Sequence, residues 1–551
     1  MLKFLEFLFN EEEINKYLKE LEHLKGFDFI DGLFHKLNFT YLLSDQHKLR
    51  IPSEGAVILT ANHPLGALDG LILLKAISEI RKDVKVIASD VVAEISNLSD
   101  LIIPVDFDSL DERKKNIANI EKSLKDGELV IFFPSVFVST YQFGKVQDSP
   151  WEQGAINLAS KFDLPILPVY IDGKNTRLFY SISSINQEIS QFMLFREVLK
   201  KRNSSIQLII GKLIPGSSFS GKSISRGYET KMLKKHVYNI GKNKKDVFKT
   251  VNTIIHPIRK ELLIEEFKDS ILLGKTKDNK TIYLCEYDKS HNIIEEIARL
   301  REITFRKVGE GTGNTKDFDE YDTYYKHIIV WDDKKLEIVG SYRLGVCEEI
   351  IKEKSINSIY NALQFEFNED YIDILNSSVE LGRSFVQMRY WGSSALDYLW
   401  QGIGAFLSKF PKYKYLFGAV SISDSYPSAA KNMLVYYHQK WFNDTRKIAK
   451  AKNPYIIEKK DLEQIIPIFD SDEFKDDFIK LKRAIRQFGM SVPTLLRRYV
   501  DLTDFGGTKF VDFGVDESFA NSIDCFVVVE LDKLRADFKE RYYTNQKSLK
   551  N

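Results

Sequence analysis

The chain has 551 residues, which is too long for one ordinary domain and predicts two large domains, or at most three. Hydrophobic residues make up 44% and aromatic residues 13%, which is enough apolar surface for real cores. The 79 basic and 78 acidic residues balance, so the overall charge indicates no nucleic-acid partner.

The cysteines and the apolar runs narrow the class further. Cys285, Cys347 and Cys525 lie far apart and fit neither a disulfide framework nor a metal cluster, which predicts a reducing cytoplasm and no bound metal. No apolar run approaches the ~20 residues that span a bilayer. Residues 1–9 are apolar but too short and too acidic at their end for a secretory signal. They form either an amphipathic helix on a membrane surface or a helix packed on its own domain.

Strand-like apolar runs alternate with helical patterns through the first half. This alternation predicts an α/β fold with largely buried strands. In open α/β sheets the functional site lies outside the ends of the strands. The predicted strands are 56–60, 84–88, 101–105, 129–133, 166–171 and 206–210, and the predicted helices are 71–80, 113–125 and 152–162.

A histidine and an aspartate follow the first of these strands. His63 leaves the strand, Pro64 and Gly66 turn the chain, and Asp69 opens the next helix. A histidine close to an aspartate can act as a general base whose tautomer and orientation the carboxylate sets. The alternative is that Asn62 and Asp69 only cap the turn.

Residues 62–70, Asn-His-Pro-Leu-Gly-Ala-Leu-Asp-Gly, resemble the motif of the glycerolphosphate and lysophospholipid acyltransferase family. In that family the histidine deprotonates an acceptor hydroxyl, which then attacks an acyl thioester. The most familiar spacing has four residues between His and Asp, whereas this chain has five, as in the hemolysin-like branch and the acyltransferases of aminolipid synthesis. The resemblance implies that His63 and Asp69 are catalytic and that Asn62 and Gly66 contact the substrate.

Further blocks extend this resemblance over residues 50–215 or so, among them residues 144–155, which resemble the segment that this branch carries before a helix. Phe132-Phe133-Pro134 resembles the start of the family's Phe-Pro-x-Gly block, which implies that Phe133 and Pro134 contact the substrate. The charged residues that often follow in the family are missing from residues 135–140, although a phosphorylated acceptor would need them or a nest of amides. Either the acceptor lacks a phosphate or this domain has lost its activity.

A composition break separates the two halves. Residues 216–250 contain glycine and serine and then many lysines, which favours a solvated connecting face, with contact to anionic lipid head groups as the alternative. We expect one domain over residues 1–250 and another over 251–551, with a helix over 254–267 that could belong to either.

The second half resembles an acyl-CoA N-acyltransferase (GNAT) core, which implies an α+β domain. Its closer likeness is to the ornithine-lipid N-acyltransferases and, more distantly, to the acyl-homoserine lactone synthases. The blocks that carry the likeness include Asp-x-x-Asp at 319–322 and Glu-Leu-Gly-Arg-Ser-Phe-Val at 380–386. The predicted elements are strands 281–285, 327–331, 336–344, 416–423 and 524–529, and helices 293–305, 395–408 and 429–438.

This second resemblance implies a long-chain acyl donor on acyl carrier protein, with acyl-CoA as the other possible donor. The lipid branch acylates the α-amine of an amino acid, typically with a 3-hydroxyacyl chain. Glu380 and Arg383 are then the candidate catalytic residues, and Asp319 and Asp322 are candidates to hold a cationic substrate. The alternative for all four is a structural salt-bridge network.

A loop before the helix at 395–408 indicates where the donor binds. Residues 389–394 resemble a degraded GNAT loop, whose backbone amides meet the donor's phosphate at a helix N-terminus. The resemblance implies donor binding by Arg389, Gly392 and Ser394. Ser394 replaces a smaller residue, which fits the single phosphate of a phosphopantetheine arm better than a pyrophosphate.

Together the halves resemble fused synthases of ornithine or other aminolipids. The second domain would N-acylate an amino acid, and the first would esterify the new 3-hydroxyl, with His63 as the base and no bound cofactor. The expected partners are acyl carrier protein, the amino acid, the lyso-aminolipid and the membrane surface. The expected location is the cytoplasm, at the inner face of the cytoplasmic membrane.

Two other functions stay open. One is a lysophospholipid acyltransferase with an accessory GNAT domain, and the other is a hemolysin-like, membrane-active protein without enzymatic activity. The amino acid is also open, because ornithine needs a second carboxylate for its side-chain amine, which Asp319, Glu320 or Asp322 could supply. Glycine or serine needs none.

Overall fold

A computed structural model describes residues 11–105, 110–135, 137–142, 144–184, 190, 193–219, 225–517 and 521–544. The chain divides into two compact units, Met1–His256 and Pro257–Asn551. The helix predicted at residues 1–9 lies outside the described residues. Across the described ranges, no helix combines the length and apolar character that crossing a membrane requires.

The first unit contains nine strands and ten helices within its described residues. The strands are β1 (Thr40–Leu42), β2 (Val57–Ala61), β3 (Val84–Ala88), β4 (Ile102–Pro104), β5 (Leu129–Phe132), β6 (Thr140–Gln142), β7 (Lys145–Gln147), β8 (Ile166–Asp172) and β9 (Ser205–Ile210). The helices are α1 (Glu11–Glu20), α2 (Gly26–Lys36), α3 (Asp45–Lys48), α4 (Ala67–Ser78), α5 (Asp90–Ala93), α6 (Leu110–Lys125), α7 (Gly154–Phe162), α8 (Arg177–Ser183), α9 (Leu194–Leu199) and α10 (Arg226–Ile240).

Seven of these strands form one sheet in the order β1-β9-β8-β2-β5-β3-β4. Neighbouring strands are parallel except β8 and β9, which are antiparallel. All six predicted strands of this half lie in the sheet, so the predicted α/β class is confirmed. The strands that the sequence did not predict, β1, β6 and β7, are three residues long, which is too short for a pattern.

Both faces of the sheet are covered. Leu59 of β2 lies in one apolar core with residues of α4, and its neighbour Ile58 lies in the other with residues of α7. A strand that is buried on both faces has a continuous apolar run instead of an alternating one. This is why the run at 56–60 predicts a buried strand.

The lysine-rich segment is part of the first unit. Its residues Arg226–Ile240 form α10, which Ser225 caps, and Leu233 and Val237 lie in one of the two cores. The prediction of a connecting segment was wrong for this helix, because Leu233 and Val237 are buried although the surrounding sequence is rich in lysine. Residues 220–224 of the predicted join lie outside the described residues.

The boundary region also differs from the prediction. The helix expected over 254–267 is Lys260–Lys268 (α11). Before it, the Thr253 hydroxyl donates a hydrogen bond of 2.7 Å to the Arg50 carbonyl, which ties this segment to the first unit. The chain therefore leaves the first unit at His256, slightly beyond the predicted boundary.

The second unit has ten strands within its described residues, and eight of them form one large sheet. Its strands are β10 (Ile271–Lys275), β11 (Thr281–Glu286), β12 (Lys326–Asp332), β13 (Glu337–Val346), β14 (Phe365–Phe367), β15 (Ser378–Val386), β16 (Tyr415–Ile422), β17 (Ala449–Ala451), β18 (Thr508–Asp516) and β19 (Ser522–Glu530). Its helices after α11 are α12 (His291–Lys307), α13 (Cys347–Glu353), α14 (Ile372–Asn376), α15 (Ala395–Lys409), α16 (Ser428–Phe442), α17 (Lys459–Ile465), α18 (Phe474–Gln487), α19 (Thr494–Asp501) and α20 (Ala536–Lys539).

The large sheet has the order β10-β11-β12-β13-β15-β16-β19-β18. All its pairs are antiparallel except β15 and β16, which are parallel. These two strands, which the structure describes in full, pair at residues 378–380 with 415–417. β15 then continues to Val386 and β16 to Ile422 without pairing with each other, so the sheet opens between them.

Candidate active sites

The first candidate site lies where β2 ends. His63 follows β2, and Asp69 lies in the first turn of α4 with its carboxylate fully buried. The Nδ1 atom of His63 lies 2.9 Å from Oδ2 of Asp69. When Nδ1–H donates to this carboxylate, the imidazole carries its lone pair on Nε2, which is the form of a general base. The predicted pairing of His63 with Asp69 is therefore present.

One oxygen of Asp69 organises the turn before α4. Oδ2 also accepts the backbone N–H groups of Leu65 at 2.8 Å and Gly66 at 3.0 Å. Gly66 has φ +84°, and a Cβ there would lie 2.9 Å from the Leu194 side chain. Burial raises the pKa of Asp69, while the hydrogen bonds from His63 and the two backbone groups lower it. The positive φ of Gly66 and the nearby Leu194 side chain together require glycine at this position of the turn.

Phe133 and Pro134 occupy different environments. Phe133 follows β5, which neighbours β2, and its ring stacks on the His63 imidazole with 4.4 Å between centroids. Pro134 is buried, and its carbonyl accepts the backbone N–H of Glu152 at 2.9 Å. Phe133 is therefore placed to limit the orientation of His63, whereas Pro134 belongs to the scaffold around the site.

Asn62 also belongs to the scaffold. Its side-chain NH2 donates to the Ile171 carbonyl at 2.9 Å, and its oxygen accepts the Ile171 N–H at 2.7 Å. Asn62 is buried, and its amide extends the pairing of β2 with β8 by one residue. These contacts support the turn that carries His63, and substrate contact by Asn62 stays a prediction.

Asp148 is a residue of this site that the motif analysis missed. Its Oδ1 atom accepts the backbone N–H of His63 at 3.2 Å and also the Ser139 hydroxyl, and its Oδ2 accepts the Trp151 indole N–H at 2.8 Å. The Asp148 carboxylate is 1% exposed. The only sequence signal is its place in the resembling block 144–155, because a lone aspartate in a loop is ordinary.

A lysine distant in sequence lies near this site. Burial lowers the pKa of Lys201, and Glu197 and Asp69 are the acidic groups close enough to oppose that effect. Lys201 also lines, with Lys174 and Lys200, a surface cleft of about 440 Å³. The residues directly after Phe133 carry no charge, so any cationic group here comes from other segments of the chain.

In the second unit, the predicted acidic pair lies in a cluster with arginines. Asp322 is fully buried and accepts Arg301 Nη1 at 2.8 Å, Arg301 Nη2 at 2.7 Å and Arg343 Nη1 at 3.2 Å. These guanidinium groups hold the pKa of Asp322 well below its usual range. Asp319 is partly exposed, 2.5 Å from Arg343 Nη1 and 3.5 Å from Arg383 Nη2. The arginines neutralise both carboxylates.

Glu380 is buried at the point where β15 and β16 pair. Its carboxylate accepts the Tyr325 hydroxyl, the Tyr360 N–H at 3.1 Å, the Asn361 N–H at 2.7 Å and the Asn361 side-chain NH2. Four donors occupy the lone pairs that a base would use. This arrangement is typical of a positioning carboxylate, and a catalytic role of Glu380 stays a prediction.

Arg383 stands at an irregularity in β15. The register between β13 and β15 shifts between Ser341 and Arg343, and Arg383 has φ +49°. A non-glycine residue in this region costs energy and is concentrated at functional sites. The Arg383 guanidinium lies over the Tyr360 ring at 5.1 Å from its centroid. The bulge thus turns this arginine into the polar cluster.

The predicted donor loop lies at the N-terminus of α15, as expected from the sequence. Ser394 immediately precedes the helix, and Gly392 has φ +76°. Arg389 Nη1 donates to Glu337 Oε2 at 2.7 Å and stays largely exposed. Donor binding by these three residues stays a prediction.

A third buried carboxylate of the second unit was also missed. Asp524 of β19 pairs in register with Ser421 of β16, and its Oδ1 accepts the Ser421 hydroxyl at 3.2 Å. Burial and the neighbouring Asp516 raise the pKa of Asp524 to about 7. The sequence signal was Asp524 itself, a charged residue inside the apolar run 523–529. Because this run predicts a buried strand, its pattern favours a place in the core for these residues.

Comparison with known families matches each half separately. Residues 1–200 match a family described as acyltransferase, and residues 300–401 match the acetyltransferase (GNAT) domain. These matches agree with the α/β and α+β classes of the two units.

Three relatives carry more specific names. The chain is 34% identical over 302 residues to a glycine N(alpha)-acyltransferase of Bacteroides thetaiotaomicron, covering 52% of this chain and 89% of that protein. It is 24% identical over 226 residues to a lyso-glycine lipid O-acyltransferase of Phocaeicola vulgatus, covering 40% and 80%. It is 25% identical over 263 residues to an L-ornithine N(alpha)-acyltransferase of Brucella abortus, covering 45% and 84%.

Proposed function

This chain belongs to the family of the glycine N(alpha)-acyltransferases and also carries an acyltransferase domain, and from this premise we propose that it makes a two-chain glycine lipid. The second unit joins a 3-hydroxyacyl chain to the α-amine of glycine. The first unit then esterifies the new 3-hydroxyl with a second acyl chain. The product contains no phosphorus.

The observation that carries the second step is the His63–Asp69 pair. The Nε2 atom of His63 takes the proton of the 3-hydroxyl while the oxygen attacks the thioester carbonyl. The C–O bond forms, the C–S bond breaks, and the imidazolium returns the proton to the leaving thiolate. Asp69 holds Nδ1 at 2.9 Å and stabilises the imidazolium that forms between these events.

The uncharged segment after Phe133 supports an acceptor without a phosphate. The residues directly after Phe133 are uncharged, and His63 stacks on an aromatic ring. A lyso-lipid hydroxyl on an acyl chain is a neutral, apolar acceptor that needs no cluster of cations. A lysophospholipid would bring a phosphate that these residues do not match.

The charges of the second unit support glycine as the amino acid. Arg301 and Arg343 saturate Asp322, and Arg343 and Arg383 neutralise Asp319. Neither aspartate is thus left for the side-chain ammonium group of ornithine. Glycine has no such group, and it is the amino acid in the names of the relatives with 34% identity.

The acyl donor of both steps is a thioester of acyl carrier protein or coenzyme A. In the second unit, the position of Ser394 at the N-terminus of α15 supports donor binding by the loop of Arg389, Gly392 and Ser394, because backbone amides at a helix N-terminus attract a phosphate. The lyso-lipid product is an amphiphile, so we expect the enzyme to work as a peripheral protein at the inner face of the cytoplasmic membrane.

Lipid analysis of an expressing strain tests this proposal. A bacterial host that lacks aminolipids should form a new two-chain, phosphorus-free lipid that contains glycine, detected by mass spectrometry and by labelling with isotopic glycine. His63→Ala should accumulate the single-chain N-acylglycine. Folded protein without any new lipid would overturn the proposal, and incorporation of labelled phosphate would favour a lysophospholipid acyltransferase.

A further inference from the structure

We propose that Arg383 and Asp524 hold the two charged ends of the free amino acid, Arg383 its α-carboxylate and Asp524 its α-ammonium group. Asp524 then takes a proton from that ammonium group. This inference rests on the proposed N-acylation and identifies where the acceptor binds. It goes beyond the candidate residues drawn from the sequence, because Asp524 lies in neither of the blocks, 319–322 and 380–386, that supplied them.

The buried carboxylates Asp322, Glu380 and Asp524 of the second unit differ in their hydrogen bonds. Asp322 accepts from two arginines, and Glu380 accepts from four donors. Asp524, which is 5% exposed, receives within the described part of the chain one hydrogen bond, from the Ser421 hydroxyl at 3.2 Å. A buried carboxylate with a single neutral donor is costly unless a ligand completes its shell.

The register of the sheet places this pair of residues in the opened region. Asp524 is paired with Ser421 of β16, beyond the point at which β16 stops pairing with β15. Arg383 lies in the corresponding unpaired part of β15, where its positive φ turns the strand. Arg383 thus lies on one of the two separated strand segments, and Asp524 lies on β19, directly beside Ser421 of the other segment.

The charge pattern around Asp524 suits a zwitterion. Arg383 is near enough to lower the pKa of Asp524, whereas burial and the acidic neighbours raise it to about 7. A carboxylate of this kind can accept a proton near neutral pH and release it again. The groups that face Asp524 come from several surrounding elements and are Ser421, Arg383, Asp516, Glu310 and Tyr360.

The proposed step converts the ammonium group and the thioester into an amide and a free thiol. Asp524 takes one proton from the ammonium group, and the resulting amine attacks the thioester carbonyl. The C–N bond forms and the C–S bond breaks. The second proton on nitrogen passes to the leaving thiolate, which gives an amide, a free thiol and one proton that Asp524 later releases to solvent.

Thiol release by the purified full-length chain tests the role of Asp524. The assay uses a 3-hydroxyacyl thioester and glycine, with wild type, Asp524→Asn and the exposed control Asp532→Asn. We expect Asp524→Asn to lower kcat/KM for glycine by about 100-fold or more and to lose the rise in rate through pH 7. Asp532→Asn should match wild type.

The ligand pairing has its own test. Glycinamide keeps the α-amine of glycine but lacks the carboxylate, so wild type should prefer glycine. Arg383→Gln should raise the KM for glycine but not for glycinamide, which would abolish this preference. A structural role for Arg383 would lower both rates equally and would overturn the pairing.

The outcomes separate this inference from the proposed function. If wild type releases no thiol with any amino acid, the proposed N-acylation is wrong. If wild type is active and Asp524→Asn keeps its rate and pH profile, the role of Asp524 is wrong. If Asp524→Asn does not fold, Asp524→Glu provides the test. The longer side chain moves the carboxylate, so the pH profile of N-acylation should change. An unchanged profile would overturn the inference.

Discussion

The Asp148 carboxylate binds the main chain of His63, with Oδ1 3.2 Å from the backbone nitrogen. His63 is thus held from two sides, by Asp69 at its ring and by Asp148 at its backbone. Because Asp148 touches no reacting atom, it acts as a positioning residue for His63.

Asp148→Asn should slow the O-acylation selectively. Both carboxylate oxygens of Asp148 face donors, so the NH2 of asparagine would oppose either the Trp151 indole or the donors at His63 and Ser139. A small displacement of a catalytic base can cost about 100-fold in rate. We expect a drop of 10- to 100-fold in O-acylation of synthetic N-acylglycine, measured by product formation.

The exposed Asp126→Asn in the same unit is the control and should keep the wild-type rate. Thiol release with glycine, which reports the second unit, should be the same in both variants. An equal loss of both activities in Asp148→Asn would indicate a general folding defect and contradict the positioning role.

His63→Ala and Asp69→Asn should both stop the second acylation while leaving the first intact. Loss of the general base should lower the rate of O-acylation by about 10²- to 10⁴-fold. Asp69→Asn should act through His63, because the amide no longer holds Nδ1 as a carboxylate does. The measurement is the ratio of single-chain to two-chain lipid in extracts, and normal two-chain product in either variant would exclude His63 as the base.

Gly66→Ala should destabilise the first unit more than Gly55→Ala does. Both glycines have φ +84°, so alanine is strained at either site. A Cβ at Gly66 would also lie 2.9 Å from Leu194, whereas the Gly55 site is open within 4 Å. Urea unfolding of the two variants isolates the cost of this contact, and equal losses would contradict it.

Glu380→Gln should lower the stability of the second unit. The NH2 of glutamine would face the donors Tyr325, Tyr360 and Asn361, which costs about 2–4 kcal/mol for a buried network. Glu366→Gln, an exposed position on β14, is the matched control. Unchanged unfolding of Glu380→Gln with complete loss of N-acylation would instead point to a direct chemical role.

The stability of the second unit should fall as the pH rises through about 7. The pKa of Asp524 is about 7 in the folded chain and near 3.8 when unfolded, so the folded state holds a proton that the unfolded state has lost. The contribution of Asp524 to the free energy of unfolding is on the order of a few kcal/mol. It is fully present below pH 3.8 and is lost above pH 7. Urea unfolding at pH 5 and pH 8 should differ less for Asp524→Asn than for wild type.

The acyltransferase class and the order of the two domains were predictable from the sequence, and the comparisons confirm both. The pairing of His63 with Asp69 was also predictable, because six residues and a tight turn hold the two side chains close whatever the rest of the chain does. The buried strands were predictable because a strand covered on both faces is a continuous apolar run. Local sequence therefore determined the elements, the turn and the candidate base.

Tertiary structure alone decided which distant groups complete each site. Asp148 lies 85 residues from His63, and Asn62 bonds with Ile171 across 109 residues. These contacts depend on strand order and register, which local patterns do not encode. Burial and partners likewise separated the saturated Glu380 from Asp524, because the role of a carboxylate depends on how many donors surround it once it is out of water.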